Sequence, residues 1–179
     1  LYLKFSEDEE YEIRYCIATC LHEAFKMIEF TSDDDKNAEL LLETKKEQLK
    51  ALEDHCVSLI QTFQDFEYSS AALYVQGEAY FAYADMLFDA PPPQGFSEEM
   101  EFLYYEAIDE IRLPLEDKGL ARMQANLETA KTTKRWSEWQ SKTLEFLHGR
   151  LPSDYAAEKE EVRGYGDSNL VPSVGPITV

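Results

Sequence analysis

Residues 71–95 read AALYVQGEAYFAYADMLFDAPPPQG. Small and aromatic residues recur at helical spacing in the first part, which predicts a helix from about 70 to 88. Three consecutive prolines and Gly95 follow, and they end the helix because proline lacks a backbone donor and glycine favours turns. Inside the helix, Gly77 costs about 1 kcal/mol relative to alanine. We therefore expect a second helix to pack closely against the missing side chain of Gly77.

The sequence on both sides of this stretch has the periodicity of further helices and lacks the alternation of strands. The other predicted helices cover about 7–30, 36–66, 97–132 and 135–149. We expect an all-α fold of five to seven antiparallel helices joined as hairpins. Residues 1–152 are expected to form the helical domain, and residues 153–179 an extended or disordered tail.

Helix ends are marked by residues that satisfy unpaired backbone groups. Ser6 and Glu9 have the spacing of a capping box, and Ser97 is a candidate N-cap. The helix that contains Gly77 is expected to begin at Ser69 or Ser70. Pro114 is expected to kink or restart the helix that follows the proline loop.

The charge of the chain limits its partners. Its 179 residues carry a formal net charge of −19, and the pI is about 4.4. Nucleic acid is excluded as a partner because phosphate binding needs a basic surface. No stretch approaches the roughly 20 apolar residues of a membrane-spanning helix, so direct membrane insertion is not expected. The acidity is that of a solvated surface, or of one that binds a basic segment of a partner.

The three cysteines are predicted to be structural thiols. The first helix has an apolar stripe that is expected to face the core. It consists of Ile13, Cys16, Ile17, Cys20 and Leu21, with Phe25 and Ile28 as further candidates. Cys16, Cys20 and Cys56 would be small core residues, which is the usual place of a free thiol. The nearby His22 and His55 leave a metal site open as an alternative, but the spacing fits no common zinc motif. We expect no metal and no cofactor.

No catalytic residue is predicted. The sequence has no P-loop, no G-x-S-x-G and no H-E-x-x-H motif. Its histidines, His22, His55 and His148, fall in separate predicted helices. Glu78 and Asp85 are the carboxylates in the most unusual setting, on the aromatic helix. The chemistry of the sequence therefore favours a protein that is not an enzyme.

The spacing of Leu73, Gly77 and Tyr80 is that of a tetratricopeptide-type repeat. The C-terminal half of the chain resembles tetratricopeptide proteins of the bacterial cell envelope, of the type found in deltaproteobacteria such as the myxobacteria. The resemblance rests on a G-x-x-Y helix, an AP-x-P loop, a capped acidic helix, a P-x-E-x-K step and an EW helix that ends L-x-P-x-x-Y. These residues are Gly77, Tyr80, Ala90, Pro91, Pro93, Ser97 to Glu99, Pro114, Glu116, Lys118, Glu138, Trp139, Leu151, Pro152 and Tyr155.

The resemblance implies a tetratricopeptide-like superhelix that acts as a non-catalytic interaction scaffold. If the repeat positions are as above, then Ala71, Tyr74, Glu78 and Phe81 line the concave groove that binds a partner protein or peptide. The implied location is the cell envelope, in the periplasm or at the outer membrane, with the cytoplasm as the alternative. Two other functions stay open: a structural subunit of a larger complex, and a metal-binding helical-bundle enzyme.

Overall fold

The computed structural model describes residues 6–28 and 35–155, which form five α-helices and no strand. The helices are α1 (Glu7–Lys26), α2 (Asp35–Phe63), α3 (Phe66–Phe88), α4 (Glu98–Thr133) and α5 (Glu138–Arg150). The expected all-α fold is confirmed. The predicted tail lies outside the described residues from 156 onward, so the boundary at 152 stays a prediction.

Two of the three predicted helix starts are confirmed. Ser6 accepts a hydrogen bond from the backbone N–H of Glu9, and the Glu9 carboxylate accepts from the Ser6 N–H at 2.8 Å. Ser97 caps α4. The start at Ser69 or Ser70 is wrong, because Asp65 caps α3 four or five residues earlier. Its carboxylate accepts from two backbone N–H groups in the first turn, the nearer at 2.8 Å.

Helix α4 continues through Pro114 and does not restart there. Its 36 residues span about 54 Å at 1.5 Å per residue. Ion pairs brace the helix across the proline: the Arg112 guanidinium donates to Asp109 at 2.9 Å and to Glu116 at 2.7 Å. These side-chain bonds offset part of the effect of the backbone hydrogen bond that Pro114 cannot make.

Helix α3 lies at the centre of the fold. It packs against each of the other four helices, and most of its side chains are buried. A tetratricopeptide-like superhelix is not confirmed: in such a stack each hairpin contacts only its neighbours, and no helix is surrounded. The core between α1, α2 and α3 is built from aromatic and aliphatic side chains, among them Phe25, Leu52, Leu59, Val75, Tyr83 and Leu87.

The expected close approach at Gly77 is confirmed. A Cβ atom added at Gly77 would lie 2.9 Å from side-chain atoms of Met123 on α4. A second glycine faces it from α4: a Cβ atom at Gly119 would lie 2.8 Å from the Phe81 ring and 3.2 Å from the Gly77 carbonyl oxygen. Two glycines therefore let the backbones of α3 and α4 nearly touch.

Much of the predicted apolar stripe of α1 faces outward, and the prediction that it packs into the core is wrong for these residues. Ile13 and Ile17 are each 44% exposed, and Cys16 and Cys20 are also exposed. Of the stripe candidates, Phe25 is buried and Leu21 packs against the core, and the buried face is completed by Tyr11 and Ala18. Aromatic rings bury more area than isoleucine or cysteine, so Tyr11 and Phe25 determine which face packs.

Of the three thiols, only Cys56 has the predicted place in the core. Its side chain is fully buried between helices, and burial raises the pKa of the thiol to about 12. At neutral pH this group stays protonated and unreactive.

Candidate binding groove

A groove separates α2 from α4. Tyr83 of α3 bonds to Leu42 of α2, while Gln76 bonds to Glu53, so these two helices run antiparallel. Helix α4 is also antiparallel to α3, and α2 and α4 therefore run in the same direction on either side of it. Within the described residues, no Cα atom of α2 lies within 8 Å of one in α4. The space left between them has a volume of about 920 Å³.

The floor of the groove is apolar and comes from α3. Tyr80, Tyr83 and Leu87 recur at spacings of three and four, so they share the face of α3 that lies between the two rims, and each is at most 6% exposed. The Tyr83 hydroxyl donates to the Leu42 carbonyl oxygen at 3.3 Å, which fixes the ring in the floor. The apolar walls are Leu42 and Leu49 from α2 and Ile111, Pro114 and Leu115 from α4.

One end of the groove is bridged by side chains. The Arg122 guanidinium of α4 donates to the Glu53 carboxylate of α2 at 3.1 Å. Tyr80 lies beside this pair, and burial followed by its hydrogen bond to Glu53 raises the pKa of the phenol to about 12. Tyr80 is thus a neutral donor at physiological pH. At the other end, near Leu87, the rims have no such bridge among the described residues.

Charged residues line both rims. The acidic ones are Glu39, Glu43, Glu47 and Glu53 on α2 and Glu110 on α4, and the basic ones are Lys46 and Lys50 on α2 and Lys118 on α4. An apolar floor between charged rims suits a segment that is apolar on one side and charged along its edges.

The groove expected from the repeat spacing is closed in the structure. Ala71 and Phe81 are buried, and the Phe81 ring centroid lies 5.3 Å from that of Phe146 in α5. Tyr74 packs against Trp139 of α5, with 5.6 Å between the ring centroids. The surface is covered because α5 folds back onto α3 and does not extend a stack of hairpins. The face of α3 that carries these three residues therefore offers no open groove.

Glu78, the fourth predicted groove residue, faces α1. Its Oε2 atom lies 3.7 Å from Nε2 of His22. The His22 ring is buried and Nε2 has no hydrogen-bond partner. Burial, with Lys26 nearby, lowers the pKa of His22 to about 4, and burial raises the pKa of Glu78. Within the described chain, no three His, Cys, Asp or Glu residues are grouped to hold a metal ion.

The three predicted repeat positions have different environments. Leu73 is half-buried, Gly77 packs on Met123, and Tyr80 lines the groove. The i, i+3, i+7 spacing of Tyr80, Tyr83 and Leu87 was the available sequence signal for the floor. The same spacing also marks any buried helix face, so it could not distinguish an open groove from a covered core.

Comparison with known proteins gives no match: no family model, no curated protein and no solved structure is significantly similar to this chain. The resemblance to tetratricopeptide proteins therefore stays a prediction. In the part of the chain that the structure describes, none of the helices has the length and apolar character required to cross a bilayer.

Proposed function

We propose that this protein is a non-catalytic interaction module that holds a segment of another protein in the groove between α2 and α4. The observation that supports this proposal is the space between α2 and α4, whose Cα atoms stay more than 8 Å apart and whose α4 wall carries the exposed apolar side chains of Ile111 and Pro114. A segment seated there would remove apolar surface from water, at about 25 cal/mol per Å².

The acidic rim favours a partner segment that carries basic residues. Five carboxylates and three ammonium groups line the groove, on a chain whose net charge is −19. Opposite charge on the segment would speed its encounter with the protein and select its position in the groove. A second copy of this acidic chain would be repelled at the same rims.

A matched pair of variants tests the groove. Ile111 lines it and is 53% exposed, whereas Leu113 is 49% exposed on another side of the same helix and does not line it. Peptides of about 16 residues selected from a displayed library should bind at least tenfold more weakly to Ile111→Glu than to Leu113→Glu. Both variants should unfold at the same temperature as the parent protein. Equal binding by the two variants would reject the groove as the binding surface.

We also propose, from the resemblance alone, that the module belongs to an assembly of the bacterial cell envelope, with the motility machinery among the candidates. Fractionation of the source cells tests this location. Recovery in the periplasmic or outer-membrane fraction would support it, and recovery in the cytosol alone would reject it.

The exposed first half of α4 favours a second candidate function, that of a structural subunit in a larger complex. Phe102 is 62% exposed and Leu103 56%, and Met100 and Tyr105 are exposed near them. Apolar side chains grouped on one helix are typical of a protein contact. Size-exclusion chromatography with light scattering distinguishes the two functions. A stable monomer supports the groove binder, whereas aggregation that Phe102→Lys relieves supports the subunit.

A further inference from the structure

We infer that the groove binds an amphipathic α-helix in one direction, with its N-terminal turn at the Glu39–Glu110 end and its C-terminal turn near Lys50 and Lys118. This inference rests on the proposed function. The guest helix would run parallel to α2 and α4 and antiparallel to α3. The order of the charges along the two rims carries the inference, together with the position of Pro114.

The charges are ordered because α2 and α4 run parallel. The pair Glu53–Arg122 fixes one level at which α2 and α4 face each other. Tyr83 contacts Leu42 of α2 and Phe81 contacts Gly119 of α4, so α3 relates the other levels. Glu39 and Glu43 of α2 therefore lie toward the end where Glu110 of α4 lies. Lys46, Lys50 and Lys118 lie toward the bridged end. Glu47 lies among the lysines, and Glu53 is paired with Arg122, so the excess of positive charge in this half is small but distinct.

The acidic end suits the N-terminus of a helix. The first four N–H groups of a helix have no partner within the helix, and the helix dipole places partial positive charge there. Glu39, Glu43 and Glu110 supply carboxylate acceptors at this end of the groove. Basic side chains in the first turns of the guest would use the same carboxylates.

Pro114 adds an acceptor at the same end. A proline inside a helix has no N–H to donate to the carbonyl four residues earlier, which here is that of Glu110. Glu110 and Pro114 both line the groove, so a guest in the groove would pass this turn of α4. A donor from the guest, either a backbone N–H of its first turn or a basic side chain, would complete the hydrogen bonding of this carbonyl.

The other end suits a C-terminus. The last four carbonyl groups of a helix lack partners and carry partial negative charge. Lys46, Lys50 and Lys118 are ammonium donors there. The distance along α2 from Glu39 to Lys50 is about 17 Å at 1.5 Å per residue, which accommodates about three helical turns.

Spin labels on a selected peptide show in which direction it binds in the groove. The probe is the tightest peptide from the displayed library, labelled with a nitroxide at one end and then, in a second sample, at the other. The N-terminal label should broaden the amide signals of Glu39, Leu87 and Ile111, and the C-terminal label those of Lys50 and Lys118. The bound peptide should show helical chemical shifts. The opposite pattern, or an extended bound peptide, would overturn the inference.

These experiments distinguish a failure of the proposed function from a failure of the inferred binding direction. A peptide that depends on Ile111 but binds in the reverse direction leaves the proposed function standing and removes the inferred direction. Peptides that bind equally to Ile111→Glu and Leu113→Glu remove both.

Charge reversal tests the acidic end independently of the labels. Glu39→Lys combined with Glu110→Lys should weaken the peptide at least fivefold at low salt and reduce the salt dependence of binding. The control reverses two exposed carboxylates outside the groove, Glu99→Lys with Glu128→Lys, and should change affinity less than twofold. Equal effects of the two pairs would show that only the net charge matters, and would overturn the inference.

Discussion

The two sides of α3 are packed in different ways. Toward α4, Gly77 and Gly119 allow the backbones to approach until an added Cβ atom would clash. Toward the space between α2 and α4, the side chains of Tyr80, Tyr83 and Leu87 form the floor of the groove and are themselves almost fully buried. Complementary small residues bring α3 and α4 together over part of their length, while α2 stays apart from α4. The groove is therefore a consequence of which pairs of helices are able to meet.

The polar groups of the two regions also differ, because those of the packed region are buried and hydrogen-bonded to one another. Where α5 joins α3 and α4, the Gln140 amide donates to Ser70 Oγ at 2.7 Å and to Asn126 Oδ1 at 2.8 Å. Asn126 donates in turn to Thr143 Oγ1 at 2.8 Å, and all four side chains are fully buried. A satisfied buried network fixes one arrangement of its helices. The charged groups of the groove line its rims, where a partner could reach them.

The largest expected effect is on the packed side. Gly77→Leu places a branched side chain where Met123 already lies, so overpacking should lower the free energy of unfolding by about 3 kcal/mol. Gly149 is the matched control, because nothing lies within 4 Å of an added Cβ atom there. Gly149→Leu should leave stability unchanged or raise it by up to about 1 kcal/mol. Denaturant unfolding measures both, and an unchanged midpoint for Gly77→Leu would show that the contact between α3 and α4 is loose.

The buried network should give the next largest effect. Asn126→Leu keeps a similar volume but removes the acceptor and donor that serve Gln140 and Thr143, which should cost about 2 kcal/mol. Gln124→Leu, at an exposed polar bond of the same helix to Tyr155, should cost less than about 0.5 kcal/mol. If the two variants unfold at the same denaturant concentration, the network does not stabilise the joint between α3, α4 and α5.

The smallest stability effect concerns His22, on the side of α3 that faces α1. Burial lowers its pKa to about 4, so the unfolded chain binds a proton at higher pH than the folded one. The stabilising contribution is complete above the unfolded pKa of about 6.5 and decreases as the pH falls toward 4.

Between about pH 6.5 and 5.5, the parent protein should lose about 1 kcal/mol more stability than His22→Gln. The groups that face His22, namely Glu78, Glu23, Lys26 and Lys45, are the same in both proteins. Burial raises the pKa of Glu78, so Glu78 makes the folded protein more stable as the pH falls. Glu78 is present in both proteins, so its contribution cancels to first order when their stabilities are subtracted. Parallel stability curves for the two proteins would show that His22 is not buried in solution.

The sequence predicts the local features of this fold well. The caps at Ser6 and Ser97 depend only on a side chain and on backbone groups a few residues away, so the local sequence is sufficient to predict them. The close approach at Gly77 was also predictable, because a glycine in the middle of a long helix needs a packing reason. The start of α3 was missed, since Ser69, Ser70 and Asp65 are all good caps and the turn before Asp65 determined the choice.

The candidate groove could not be predicted because it depends on how helices are arranged. Helix α1 has two faces that are able to pack, and Tyr11, which lies outside the predicted stripe, helps to decide which one does. Its ring centroid lies 5.4 Å from that of Phe63. Likewise, a repeat architecture predicts that the face of α3 with Tyr74 and Phe81 is open. It is covered because α5 returns to α3, a long-range contact with no local sequence signal.

The central claim is that a partner binds the Tyr83 face of α3 and not its Tyr74 face. Mapping amide chemical shifts while the selected peptide is added tests this most directly. Signals of Leu42, Tyr83, Leu87 and Ile111 should shift with one binding constant, while those of Tyr74, Phe81 and Trp139 stay in place. Shifts confined to Tyr74, Phe81 and Trp139 would contradict the account and restore the groove that the repeat spacing predicts.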